Sequence, residues 1–503
     1  MSYGVRVLGS LRLAAGRVRQ CPRSSASARK SSTTRQWSTP LARNIAETTG
    51  PISIAAYMRQ CLTSPDGGYY TTKNQDRDQF GQTGDFTTSP EISQVFGELI
   101  GIWLVAEWIA QGRKSGGVEI VEVGPGRGTL MDDVLRTLRN FRPFASSIES
   151  VCLVETSPSL REAQKKLLCG DESMIEIENG FQSKSKYAGL PVTWYEDIRF
   201  VPNNATNTPF ILAHEFFDAL PINAFQSVAP LSNESSTIQG LNGPIELSNP
   251  TLASKTPQWR ELVVTPNPPP STITTSSRPN LSYPAKPAPE FQLSLSKSST
   301  PSSLVLPEAS PRYQALKSKP GSIIEISPES QSYAAEFARR IGGGALSPQS
   351  SNPASKSKPS GAALIIDYGP SNTIPTSTLR GIRAHQFVSP FTSPGRVDLS
   401  ADVDFTALAE AAINASPGVE VHGPVEQGLW LERMGVKERV EMLVGKVGEG
   451  EGGMEATERL RKGVERLVER GGGGMGRLYK IMAILPENGG RKRPVGFGGG
   501  ADV

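Results

Sequence analysis

Val118–Thr129 reads V-E-I-V-E-V-G-P-G-R-G-T, and the rest of the chain is arranged around it. Val118, Ile120, Val121 and Val123 make a short β-branched apolar run, the pattern of a strand buried on both faces of a parallel sheet. Gly124, Gly126 and Gly128 follow, and a helical pattern begins at Leu130. Strand, glycine turn and helix form the first half of a nucleotide-binding βαβ unit, in which glycines take φ > 0 and let the backbone approach a ligand.

Spacing narrows the ligand. A dinucleotide fingerprint needs glycine three residues after its second glycine, where this chain has Thr129. The Gly-Lys-Ser/Thr of a phosphate loop is absent, and Glu122 stands two residues before the turn. A carboxylate at the strand end repels a pyrophosphate and suits a cationic, hydroxyl-bearing ligand. S-adenosylmethionine has an ammonium, a sulfonium and a ribose, and no phosphate. A βα turn that binds nothing is the plain alternative. A second acid favours the adenosyl ligand: the apolar run Val151–Val154 ends in Glu155, about where a βαβ fold sets a carboxylate on the ribose hydroxyls. Ser157-Pro158 then open a helix through Leu167. After the next strand, Val192–Tyr195, come Glu196 and Asp197, and an acid there suits an adenine amine. The cofactor-binding candidates are therefore Glu122, Gly124, Gly126, Gly128, Glu155 and Asp197.

Phe210–Ala213 leads into His214-Glu215-Phe216-Phe217-Asp218-Ala219-Leu220-Pro221. Open α/β sheets bind substrates at the carboxyl ends of their strands, and two nearby carboxylates match the five-donor fork of a guanidinium. Glu215 and Asp218 are the catalytic candidates, with Asp85 and Asp367 as further contacts. Alternatively, Glu215 caps a turn and Asp218 pairs with a structural arginine. His214 reads as structural.

Composition bounds the rest. Of 503 residues only 37% are hydrophobic, while 50 are glycine and 40 proline, so part of the chain is expected to be loop. Four cysteines without a C-x-x-C pair and three scattered histidines make no legible metal site and no disulfide framework. Asp398, Asp402 and Asp404 lack the spacing of a calcium loop and read as caps and turns. No apolar run is long enough to span a membrane. Eight of the 53 basic residues precede Thr39, before any acid; the other 45 face 49 acids, a slightly acidic balance that argues against nucleic acid as partner.

The acid-free Arg/Ser/Ala stretch at the N-terminus, residues 1–43, has the composition of a mitochondrial transit peptide. Residues 44–115 read as a helical region. It holds an amphipathic helix at Ile52–Leu62 and another capped by Ser89, with Pro90 in its first turn, running to Ala110. The catalytic domain is expected in two parts, 116–226 and 321–486. A β-hairpin insertion at 227–320, partly disordered, separates them; 347–360 and the tail 487–503 read as disordered. The fold expected is α/β with a mostly parallel seven-stranded, Rossmann-like sheet.

Several ordered motifs together resemble the MidA family: G-D-F-T-T-S-P-E-I from Gly84, V-E-V-G-P-G-R-G-T-L from Val121, L-A-H-E-F-F-D-A-L-P from Leu212, I-I-D-Y-G from Ile365 and D-L-S-A-D-V-D-F from Asp398. The resemblance covers about 44–226 and, with interruptions, 259–486. It implies a class I S-adenosylmethionine-dependent methyltransferase fold. It also implies symmetric dimethylation of arginine on a core subunit of respiratory complex I, in the mitochondrial matrix, in support of complex I assembly. Gly124, Gly126 and Gly128 would take the cofactor turn's roles and Glu155 the ribose role. Glu215 and Asp218 would correspond loosely to the acidic pair of other arginine methyltransferases, whose double-Glu hairpin is not reproduced. The alternative is a non-catalytic assembly chaperone keeping the cofactor fold; a small-molecule methyltransferase is a third reading. The oligomeric state is not legible.

Overall fold

The computed structural model describes residues 37–48, 50–71, 84–85, 87–229, 237–240, 243–246, 256–267, 289–343, 356, 358–446 and 451–498. Most of the expected presequence, most of 347–360, the far end of the tail and Phe86 lie outside them.

Seven strands build the central sheet: β1 (Val118–Val123), β2 (Ile148–Val154), β3 (Pro191–Tyr195), β4 (Thr208–His214), β5 (Ala362–Tyr368), β6 (Val419–Glu426) and β7 (Tyr479–Pro486). Their order is β6-β7-β5-β4-β1-β2-β3. β1 to β5 run parallel, with Val121 beside Cys152 on one side and Ile211 on the other, and β7 is antiparallel to both neighbours. β1 is buried at all six positions, so neither face reaches water and its residues need no polar alternation. Its two faces feed two cores. Val118 and Ile120 pack with helix α1 (Gln94–Ala110) and helix α2 (Thr129–Leu138). Val121 and Val123 pack with helices at Pro328–Gly342 and Phe405–Ala415. α1 and α2 cross closely because Gly97 and Gly101 face Asp133 and Thr137; a Cβ on Gly97 would lie 2.5 Å from the Asp133 Cβ. β4 returns beside β1 after β2 and β3 have been laid down on the other side. That reversal of strand order opens a crevice at the strands' carboxyl ends.

The sheet is wider than the seven strands expected. Gly180–Lys184 and Ile175–Ile177 add an antiparallel pair beyond β3. Phe181 anchors that extension under the Arg161 guanidinium, 4.2 Å from its ring centroid.

Hairpin pairing of Gln258–Pro266 with Phe291–Leu295 is present. It belongs to a five-stranded antiparallel sheet with Asn223–Val228, Ile323–Ile326 and Ile52–Ser53. Tyr57 and Met58 of the N-terminal helix Ile54–Thr63 share one core with Ile222, Val264, Phe291 and Leu399. The insertion thus ties the N-terminal region to the sheet instead of hanging from it.

Three boundaries differ from expectation. The folded unit starts at Trp37 rather than 44, because the helix Pro40–Thr48 buries Leu41, Ala42 and Ile45 and Thr39 caps it, accepting from Ala42 N–H at 3.0 Å. The helix expected from Ser89 to Ala110 is two. Thr88 and Glu91 form a capping box for Ser89–Ile92, and extended Ser93 then caps α1. The described part of the tail is packed, not free: Phe497 is in the core and Asn488 donates to Glu420 at 2.6 Å. Among the described residues no helix is long and apolar enough to cross a membrane.

Candidate active site

The crevice is a cleft of about 1120 Å³, mouth included. Glu122, the turn Gly124–Arg127, Glu155 and Thr156 form one side; Thr88, Pro90, Glu91, His214, Glu215 and Phe216 form the floor and far side. Leu62 and Tyr70 reach it from the N-terminal region.

Each glycine of the turn has positive φ: 64° at Gly124, 53° at Gly126, 86° at Gly128. A side chain is strained there, and at Gly124 its Cβ would meet Phe216 Cδ2 at 2.7 Å. The turn is therefore a backbone surface bared to the cleft. Glu155 accepts from Ser157 N–H at 2.7 Å and from Gln164 Nε2 at 3.1 Å, which fixes its carboxylate. Burial pushes its pKa up to about 7. Glu122 is 2% exposed, its Oε2 has no hydrogen-bond partner among the described residues, and burial alone pushes it up to about 8. An unpaired buried carboxylate oxygen is costly unless a donor arrives. Two strand-end acids, one unpaired, beside a bare backbone turn without a lysine fit a phosphate-free ligand bearing cations and hydroxyls. S-adenosylmethionine meets that description.

Beyond β4 the chain turns sharply at Glu215, which has φ 49°. Such left-handed strain in a non-glycine residue concentrates at functional sites. Asp367 at the end of β5 holds the turn, its Oδ2 accepting from the backbone of Phe216 at 3.1 Å, Phe217 at 2.9 Å and Asp218 at 3.3 Å. Asp367 is fully buried and engaged with this backbone, so it shapes the turn and does not line the cleft. The Ser89 N–H and the Tyr479 hydroxyl favour the charged form of the Glu215 carboxyl, yet its Oε1 has no hydrogen-bond partner among the described residues. Burial first, then Asp218, pushes Glu215 up to about 8. His214 Nε2 lies 3.3 Å from that Oε1, off line for a hydrogen bond. Burial drives His214 down to about 3, so the contact is not an ion pair.

The sequence candidates separate in space. Glu122, Gly124, Gly126, Glu155 and Glu215 line the cleft. Gly128 lies just behind as the left-handed cap of α2. Asp218 is outside the cleft lining: it is buried, accepts from the Tyr368 hydroxyl, and burial raises its pKa. Of the two expected catalytic acids, Glu215 thus lines the cleft, while Asp218 lies outside its lining yet close enough to raise the Glu215 pKa. Asp197 is also outside the lining. Its Oδ1 caps the short turn after β3, accepting from Arg199 N–H at 2.8 Å, and its Oδ2 pairs with the Arg199 guanidinium at 2.7 Å. Glu196, its neighbour, faces the cleft instead. Asp85 is 2% exposed and joins Tyr69 to Ala384 N–H, so it fastens a loop. Asp404 caps a helix and Asp402 pairs with Arg380 at 2.7 Å.

Gln164 was not anticipated. It is wholly buried on the helix Pro158–Cys169; Nε2 donates to Gly126 O at 2.6 Å and to Glu155, while Oε1 accepts from Trp194 Nε1 at 2.9 Å. A signal existed: Leu160, Gln164 and Leu168 fall on one helical stripe, and a polar residue inside an apolar stripe needs buried partners. Tyr70 was also missed as a wall: its carbonyl accepts from Ser157 Oγ at 2.6 Å and its hydroxyl donates to Asp398 at 2.9 Å.

Comparison with known proteins agrees with this geometry. Residues 99–425 match the family model described as "Putative S-adenosyl-L-methionine-dependent methyltransferase". The chain is 32% identical over 447 residues to the mitochondrial protein arginine methyltransferase NDUFAF7 of Xenopus laevis, covering 88% of this chain and 83% of that one. It is 33% identical over 458 residues to the Rattus norvegicus protein of the same name, covering 89% and 85%. A crystal structure of a Burkholderia thailandensis protein bound to S-adenosyl-homocysteine shares the fold, with TM-score 0.59, 18% identity, and coverage of 91% of this chain and 92% of that one.

Proposed function

The chain belongs to the MidA family of S-adenosylmethionine-dependent methyltransferases, and from that premise we propose that it methylates arginine on a protein, making symmetric dimethylarginine on a core subunit of respiratory complex I. The names of the relatives, protein arginine methyltransferase and mitochondrial, support the substrate class and the compartment, with the matrix as the proposed site of action. The observation that carries the reading is Glu215: a strained cleft residue whose carboxylate Oε1 has no hydrogen-bond partner among the described residues.

In this reading Gly124, Gly126 and Gly128 shape the backbone surface for the cofactor, Glu155 receives its ribose, Glu122 offers the unpaired oxygen to its cationic end, and Glu196 takes the adenine-side place expected of Asp197. When bound, S-adenosylmethionine supplies a methyl group on a positive sulfur; the C–S bond breaks as the arginine nitrogen forms N–C and gives up a proton. Glu215 receives the guanidinium. Buried and near Asp218, it is largely protonated at neutral pH. An arriving cation favours its ionised form, and a charge-assisted hydrogen bond there contributes about 1.5–3 kcal/mol. Ionised Glu215 orients one nitrogen and can take the proton that nitrogen loses. Asp218, which accepts from the Tyr368 hydroxyl, acts on Glu215 through its charge. The apolar walls, Leu62, Phe216 and Leu220, exclude water.

The test is Glu215→Gln, which keeps shape and removes charge. Wild type should transfer methyl groups to complex I subunits from a deletion strain, and mass spectrometry should show symmetric dimethylarginine. Glu215→Gln should fold and bind S-adenosylmethionine but lose at least about 100-fold in rate, the scale of one electrostatic contact in a transition state. Unchanged methylation removes Glu215 from the chemistry. Full restoration of complex I by a variant that methylates nothing supports the chaperone reading instead.

A further inference from the structure

Two buried atoms without a hydrogen-bond partner among the described residues, His214 Nε2 and Glu215 Oε1, lie 3.3 Å apart at the cleft. Both residues line the cleft. His214 ends β4 and is 7% exposed, and the Phe96 ring packs against it with centroids 5.2 Å apart. The backbone N–H of Glu215 is bonded to Ile366 O at 2.9 Å, so the main chain holds the two side chains next to one another. They make no hydrogen bond to each other, and neither atom has a partner among the described residues. Leaving two polar atoms unpaired in such a place costs stability. What satisfies both is a group presenting two N–H donors side by side, and a guanidinium does so in one plane while an ammonium's three donors diverge.

We propose that His214 is a second receptor for the substrate guanidinium, its Nε2 accepting from one N–H while Glu215 Oε1 accepts from the adjacent one. This rests on the arginine reading above. The proton of the imidazole is then on Nδ1. Burial keeps the ring neutral, so the site gains an acceptor without a second buried negative charge. The pair holds the guanidinium plane and selects it over a lysine ammonium.

With only three histidines in the chain, the imidazole nitrogens are few enough to follow individually. The full-length protein labelled with ¹⁵N-histidine and saturated with S-adenosylhomocysteine is titrated with ethylguanidine, and separately with ethylamine, by NMR. The signals missing from His214→Phe identify residue 214. Expected are a neutral ring protonated on Nδ1 and an Nε2 signal that moves with ethylguanidine and not with ethylamine. In parallel, His214→Phe should bind S-adenosylmethionine within about twofold of wild type yet lose about 10–100-fold in kcat/KM on arginine peptides, the range for one hydrogen bond to a charged group. His214→Asn, which restores an acceptor, should recover part of that loss. Ethylguanidine binding that leaves Nε2 unmoved, or a ring protonated on Nε2, overturns the role of His214 alone, and so does a His214→Phe enzyme of wild-type rate. Wild type that neither binds ethylguanidine nor methylates arginine overturns the underlying substrate reading. If His214→Phe fails to fold, His214→Asn supplies the assignment and the wild-type titration decides.

Discussion

Replacing Gln164 with leucine tests whether a buried amide holds the two halves of the cofactor wall together. The change keeps volume and removes three hydrogen bonds: to Gly126 O, to Glu155 and from Trp194 Nε1. Each buried polar group left unpaired costs about 1–3 kcal/mol. Gly126 O and the Trp194 N–H lose their hydrogen-bond partner, while Glu155 keeps its bond from Ser157. One Nε2 serves two acceptors, so the losses do not add fully, and the expected destabilisation is about 3–5 kcal/mol. That is a large part of a typical stability of about 5–15 kcal/mol. The share falling on the cleft, through a loosened turn and a freer Glu155, is about 1.5–3 kcal/mol, or roughly 10–100-fold weaker cofactor binding. Urea unfolding followed by tryptophan fluorescence measures the first quantity, and calorimetric titration with S-adenosylmethionine the second. A variant within about 1 kcal/mol of wild type in stability and threefold in affinity refutes the reasoning. Should Gln164→Leu not fold, Gln164→Glu keeps an acceptor for Trp194 and sets a carboxylate against Glu155, and weaker binding is again expected.

Gly126→Val places a β-branched residue at φ 53°, and titration should show cofactor affinity reduced by at least about 100-fold, beyond the ~1–3 kcal/mol of the strain itself. Gly361→Ala, at φ 103°, brings a Cβ to 2.1 Å from Pro209 O where β4 and β5 begin; urea unfolding should register a loss of at least about 2 kcal/mol, with cofactor affinity little changed. The raised folded-state values of Glu122 (about 8) and Glu155 (about 7), above the ordinary carboxylate range, mean that the folded chain holds protons the unfolded chain releases. Their stabilisation is complete below the unfolded pKa and is lost as pH rises through 7–8. Lys356, lowered to about 7, works in the opposite direction, so the clean measurement is a difference: Glu122→Gln should gain on wild type in Tm, without cofactor, between pH 6 and pH 9. A pH-independent difference sinks the assignment.

Much of the centre of this protein was readable because it depends on local chemistry. β-branched runs, three glycines and strand-end acids are short-range signals, and they marked β1, the turn, and Glu122, Glu155 and Glu215, which all line the cleft. Asp197 and Glu196 show where such signals stop. They are adjacent acids, and only the cap on the turn after β3 and the Arg199 pair decide that Asp197 faces away. Asp218 is a like case, since its distance from the cleft depends on Asp367 folding the backbone of 216–218 from a strand about 150 residues later. The insertion read as a partly disordered β-hairpin because proline and serine dominate its composition, whereas the order of its strand Gln258–Pro266 also comes from pairing with residues 52–53 and 224–228.

The amino-acid order alone therefore specified a parallel α/β sheet, a phosphate-free cofactor turn and a short list of acids, because backbone preference and charge type are properties of neighbouring residues. Which acids meet in the cleft, which are spent as caps, and that His214 stands unpaired beside Glu215 were decided by the packed structure. Burial and the direction of a side chain arise from contacts between residues far apart in the chain, and no window of sequence contains them.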